Sequence, residues 1–105
     1  MRIVKTRSLK DSVFICLMNG KWWTFWDLKA EIYEKNNRFY DHTSISASLR
    51  EIRHLPSRQR YGLPLDMNVE VIVRRKRETG DGYEYKLNLT EDEIALIKEK
   101  KNARR

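Results

Sequence analysis

Two short runs of alternating side chains, separated by five residues suited to a reversal, constrain most sharply what this chain can become. In residues 69–77, Val69, Val71 and Val73 fall on one side of an extended strand, with Glu70, Ile72 and Arg74 on the other. Residues 83–89 alternate again, placing Tyr83, Tyr85, Leu87 and Leu89 together. Between them Glu78-Thr79-Gly80-Asp81-Gly82 is rich in residues that tolerate positive φ. The two runs read as one β-hairpin. The segments before it carry mostly helical spacing, so the expected class is α+β.

Ser8 can cap a first helix, with Asp11 completing a capping box. Leu9, Val13, Cys16 and Leu17 form its stripe, which Phe14, Ile15 and Met18 widen. A helix apolar on most sides belongs in the middle of a small domain. Asn19-Gly20 ends it. Lys21-Trp22-Trp23 is then a short extended piece, too brief for more than one bridge of a sheet. Thr24 caps a second helix, with Asp27 at the capping-box position and Phe25, Leu28 and Ile32 facing inward. Trp26 and Tyr33 flank that face. Asp27, Glu31 and Glu34 point away, which argues against laying this helix along a phosphate backbone. Asn36-Asn37 stops it.

Residues 42–54 form the third helix. Ile45, Leu49 and Ile52 make the inner stripe, with Ser48 beside it. Thr43, Ser46, Ala47, Arg50, Arg53 and His54 occupy the other side. That outer face is either an ordinary solvated surface or a docking face, where short side chains permit close approach. Leu55-Pro56 is expected to end this helix. Residues 57–68 then read as a loop anchored by Tyr61, Leu63 and Leu65. Val71, Val73, Tyr85 and Leu87 are the hairpin's expected share of the core. Thr90 and Glu93 form a capping box for a last helix, with Ile94 and Ile97 inward, and residues 98–105 read as a frayed basic tail.

At 105 residues the chain fits one domain, with a core over roughly residues 8–89 and a C-terminal helix and tail over 90–105. An apolar share of 40% excludes a disordered composition. Lys and Arg outnumber Asp and Glu by 22 to 15, and the resulting +7 favours a polyanionic partner. Cys16 is the only cysteine and lies in an apolar run, so no internal disulfide forms and a buried small hydrophobe is expected. Residues 1–10 are basic, but the apolar run that follows is too short for a signal peptide. No segment has the length of a membrane span. The expectation is a cytoplasmic protein, so the Asn88-Leu89-Thr90 sequon is discounted.

His42 and His54 have no cysteine or acidic partner at ligand spacing, so no metal is expected. No nucleophile motif or phosphate-cradling loop is present, and Gly80-Asp81-Gly82 sits in a hairpin rather than before a helix. Neither an enzyme activity nor a cofactor is expected. Trp22, Trp23 and Trp26 either stack on unpaired bases or pack the first two helices with one left exposed.

The order helix, short strand, helix, turn, helix, hairpin resembles the winged helix-turn-helix family over roughly residues 8–89. The likeness is strongest in TSISASLREIR and VEVIVRRKRETGDGYEYKL. The second stretch is similar to the wings of small bacterial and phage members. The resemblance implies a three-helix core, a β-hairpin wing and here an additional C-terminal helix. It implies further that the third helix enters the major groove of double-stranded DNA while the wing meets an adjacent groove or backbone. Recognition positions would be Thr43, Ser44, Ser46, Ala47, Arg50 and Arg53. Wing positions would be Arg74, Arg75, Lys76, Arg77 and Thr79. The loop over 57–68 is longer than a minimal member needs, and its Arg58 and Arg60 either add phosphate contacts or serve a partner protein.

Arginine offers a fork for guanine O6 and N7, while hydroxyls and backbone N–H groups suit phosphate. The run Arg74–Arg77 is either a charged guard against edge pairing or a phosphate-binding arm. The function implied is sequence-specific DNA binding by a small transcriptional regulator. A protein-interaction module and an accessory DNA-binding factor in phage or bacterial replication or recombination remain open. The last helix either docks on its own domain or pairs with a second copy. A dimer would place two third helices at half-sites one helical turn apart.

Overall fold

The computed structural model describes residues 8–103, with side chains to residue 100. Its elements are α1 (Leu9–Leu17), α2 (Phe25–Asn36), α3 (His42–Ile52), α4 (Leu55–Tyr61), β1 (Ile72–Lys76), β2 (Tyr83–Leu87) and α5 (Glu91–Ala103). The basic residues 1–7 and the end of the tail, residues 104–105, lie outside the described residues. The α+β class holds, with helices leading into a two-stranded antiparallel sheet.

Local chemistry sets the helix starts. The Ser8 hydroxyl accepts from the Asp11 N–H. At α2 the box is complete: Asp27 N–H donates to Thr24 Oγ1 at 3.0 Å, and Thr24 N–H donates to Asp27 Oδ2 at 3.2 Å. Asp41 caps α3, accepting from the Ser44 N–H at 2.7 Å. Asn37 closes α2 in the left-handed conformation at φ 55°.

α1 lies at the centre, with Val13, Phe14 and Leu17 fully buried. It packs against both α2 and α3, meeting Leu28 and Ile32 of one and Ile45, Leu49 and Ile52 of the other in a single core. Cys16 belongs to that core as a free thiol, and burial pushes its pKa up to about 11.

Trp23 makes the expected single bridge. Its N–H donates to the Tyr85 carbonyl at 2.8 Å, and the Tyr85 N–H returns to the Trp23 carbonyl at 2.7 Å. β2 therefore runs between Trp23 and β1. The β1–β2 register pairs Ile72 with Leu87, Arg74 with Tyr85 and Lys76 with Tyr83 on one face, and Val73 with Lys86 and Arg75 with Glu84 on the other. Gly80 and Gly82 both take positive φ in the reversal, as the sequence requires.

Four expectations need correction. α3 ends at Ile52, ahead of Leu55-Pro56 as expected, but Pro56 then stands in the first turn of a further helix, α4, where a missing N–H costs nothing. Five of the twelve residues of the expected loop, 57–61, are therefore helical, and Gly62 caps α4. Tyr61 and Leu63 anchor this region, whereas Leu65 is exposed. The hairpin alternation is shifted: Val71 and Ile72 are both buried, Val73 is half-buried and Val69 is exposed. β1 begins at Ile72, and Val71 just before it is buried as well, its carbonyl accepting from the Asn88 N–H at 2.8 Å. Finally, α5 continues to Ala103 rather than fraying at residue 98, and Ile94 and Ile97 are buried against their own chain. Of the two roles open to that stripe, the structure shows docking.

Two polar junctions close the domain. Arg58 is 3% exposed, and its guanidinium donates to the carbonyls of Arg53 at 2.8 Å, Pro64 at 3.2 Å and Asp66 at 2.8 Å. It ties the end of α3 to the segment after α4. Between α1 and α4, the Tyr61 hydroxyl donates to Asp11 Oδ1 at 2.5 Å and Arg60 lies 3.2 Å from Oδ2. The Tyr61 ring stacks on Phe14 at 4.1 Å. Burial raises the Asp11 pKa, but hydrogen bonds from Tyr61 and Ser8 and the charge of Arg60 outweigh it and hold the carboxyl below its ordinary value. Burial and the Asp11 hydrogen bond push the Tyr61 phenol up.

Replacing Arg58 with Met should cost about 2–4 kcal/mol in urea unfolding, because three carbonyls lose their donor inside the protein. Tyr61→Phe should cost about 1–2 kcal/mol at neutral pH. A carboxyl whose folded pKa is depressed stabilises fully above its unfolded pKa and ceases to do so as pH falls through the folded one. The wild-type advantage over Tyr61→Phe should therefore shrink as unfolding is measured at successively lower pH below 3.8, the ordinary Asp value.

Candidate nucleic-acid interface

The start of α3 and the hairpin are held by the same aromatic ring. Phe25, first residue of α2, stacks on Tyr85 of β2 at 5.1 Å and leans on His42 of α3 at 5.7 Å. Trp26 meets the His42 ring edge-on at 4.6 Å. His42 Nε2 is shut away from solvent there, with no hydrogen-bond partner among the described residues. α2 thus supplies two consecutive aromatic residues that fix where α3 begins relative to the hairpin.

On α3, Thr43 and Arg50 are exposed, and Ser44, Ser46, Ala47 and Arg53 are partly exposed. Thr43, Ser46, Ala47 and Arg50 follow helical spacing along one accessible stripe. Arg53 is the C-cap residue and gives its carbonyl to Arg58. Arg50 has no ion-pair partner among the described residues, so its fork is available.

The hairpin cations are not equivalent. Arg74 lies over the Tyr83 ring at 4.5 Å, and Lys76, on the same face, makes no ion pair among the described residues. Arg75 occupies the opposite face, bonded to Glu84 at 2.9 Å and lying over Trp22 at 4.2 Å. Lys86 approaches the same indole at 5.7 Å. Arg77 folds back toward the turn, 3.5 Å from the Asp81 carbonyl. Arg75, Arg77 and Thr79 line a cleft with Thr24, Trp26 and Asp27, and Glu78 and Glu84 are also on its wall. Arg58 must be removed from the candidate set. Its guanidinium is enclosed and bonded to three carbonyls, so it does not reach a phosphate. Arg60 remains at the surface but is turned to Asp11.

Two features escaped the sequence reading. Trp26, 62% exposed, stands between the start of α3 and the hairpin cleft with Lys29 at 5.7 Å from its ring. The expectation of one exposed tryptophan pointed to it without naming it. The second is the distribution of charge. Arg2, Lys5, Arg7, Arg104 and Arg105 carry five of the seven excess positive charges, leaving 17 cations against 15 anions over residues 8–103. Recognition by residues 8–103 therefore depends on where their cations sit rather than on their excess.

Among the described residues no group of three or more His, Cys, Asp or Glu is placed to hold a metal ion, and no helix is long and apolar enough to cross a membrane. Comparison with protein-family models, curated proteins and solved structures finds no match.

Proposed function

We propose that this chain is a winged helix-turn-helix protein that binds double-stranded DNA with sequence preference and acts as a small transcriptional regulator. In this reading α3 enters the major groove and the β1–β2 hairpin is the wing, lying on the adjacent backbone or minor groove. The observation that carries it is the α3 stripe from Thr43 to Arg50, joined through His42 and Phe25 to a hairpin bearing Arg74 and Lys76.

A helix with its side chains is about as wide as the major groove, so a face of Thr, Ser and Ala approaches the base edges where longer residues would collide. Arg50, a turn or two further along, then has the reach and the two-pronged donor geometry to read guanine. The N–H groups and hydroxyls at the start of α3 suit phosphate oxygens. Arg74 and Lys76 add backbone charge from the hairpin. Arg75 contributes less, because it must first give up Glu84.

Duplex titration at two salt concentrations, with random DNA and with sites selected from a library, tests this reading. Arg50→Ala should cost about 1–3 kcal/mol on a selected site and relax the preference at one base position. Equal weak affinity for every duplex, unchanged by Arg50→Ala, would remove α3 from DNA recognition. Arg74→Ala and Lys76→Ala should instead weaken all sequences alike and make the salt slope shallower by about one unit each. An unchanged slope would take the hairpin off the backbone.

A further inference from the structure

The outer face of α2 carries an apolar groove that the DNA reading does not use. Trp26, Ala30 and Tyr33 line it, and Phe39 extends it by stacking on Tyr33 at 4.0 Å. Trp26 and Phe39 are 62% and 71% exposed. Lys29 and Glu34 also line the groove. We propose that this face pairs with the same face of a second copy, the two α2 helices lying parallel about a two-fold axis.

The spacing and the charges both point to this occupant. Trp26 and Tyr33 are seven residues apart with Ala30 between them, the spacing of a two-helix seam, and Ala30 lets the backbones come close. Lys29 flanks the seam on one side and Glu34 on the other, five residues further on. In a parallel pair that offset brings Lys29 of each copy against Glu34 of the other. Neither is ion-paired among the described residues, whereas the neighbouring Glu31 and Lys35 bind each other at 3.5 Å. An acidic or a basic partner would meet one complementary and one like charge. A second copy in parallel meets two complementary ones.

Symmetry gives the arrangement a consequence. A two-fold axis parallel to α2 sends both N-terminal ends of that helix the same way, together with the starts of α3 packed against Trp26. An antiparallel pair would send them opposite ways. That both α3 helices then address one duplex rests on the proposed DNA binding; the dimer itself does not. The C-terminal helix does not compete for the role, since Ile94 and Ile97 are buried in their own chain.

The seam spans about two helical turns, which suits a weak, transient pairing, and a dissociation constant of about 10–300 μM is expected. Sedimentation equilibrium of the full chain without DNA, up to about 1 mM, provides the test at a loading well above that range. Lys29→Glu and Glu34→Lys should each weaken dimerisation about 5- to 10-fold at low salt, by turning two attractions into repulsions. The double variant Lys29→Glu/Glu34→Lys should restore it. A chain monomeric throughout overturns the proposal. A dimer in which Lys29→Glu is harmless, or in which the double variant is no better than the singles, overturns the parallel seam. Duplex titration of the same variants keeps the two readings separate: a monomer that binds DNA refutes only the seam, and a dimer that ignores DNA refutes only the proposed function.

Discussion

The hairpin's place in this protein depends on two backbone hydrogen bonds between Trp23 and Tyr85, of 2.8 and 2.7 Å. A two-stranded hairpin is barely stable alone in water. Here the extended residue between α1 and α2 adds a third, one-bridge strand, making β2 central and leaving β1 at the edge. The inner face gains Ile72 and Leu87, both buried in the helical core. Because Phe25 follows two residues after Trp23, the bridge also delivers an aromatic ring between Tyr85 and His42. The relation between hairpin and α3 is thus set by a few residues at the start of α2.

The opposite side of the domain is closed by polar groups. α4 is short, with an exposed Leu55 and Pro56, and contributes chiefly Ser57, Arg58 and Tyr61 to the interior. Tyr61 joins the core through its ring and α1 through its hydroxyl. The Arg58 guanidinium gathers carbonyls from three places, beside the backbone bonds of the neighbouring turns. Such a centre keeps its partners in one geometry, since a buried guanidinium without acceptors is costly.

Charge and shape divide between different parts of the chain. Residues 8–103 are close to neutral, and residues 1–7 and 104–105 carry five of the seven excess positive charges. Within residues 8–103 the hairpin cations Arg75 and Arg77 share their cleft with the acids Asp27, Glu78 and Glu84. The same helix that helps position α3 also exposes an aromatic groove, and Trp26 belongs to both.

The sequence by itself determined what depends on neighbours three or four residues apart. The Thr24–Asp27 box, the inner stripe of Ile45, Leu49 and Ile52 and the glycine-bearing reversal were all legible, because caps, helical faces and turns are local. Only the tertiary structure decided the rest. Arg58 read as a surface cation, since nothing in its sequence neighbourhood shows that the chain folds three carbonyls around it. Val71 and Ile72 are both buried although they are successive, and the Asn88 N–H of the far segment holds the Val71 carbonyl at 2.8 Å, a contact that no local pattern specifies. Ile94 and Ile97 carried an apolar stripe whose partner was unspecified until the chain supplied it. Periodicity states that a face must be covered; the geometry of distant segments selects what covers it.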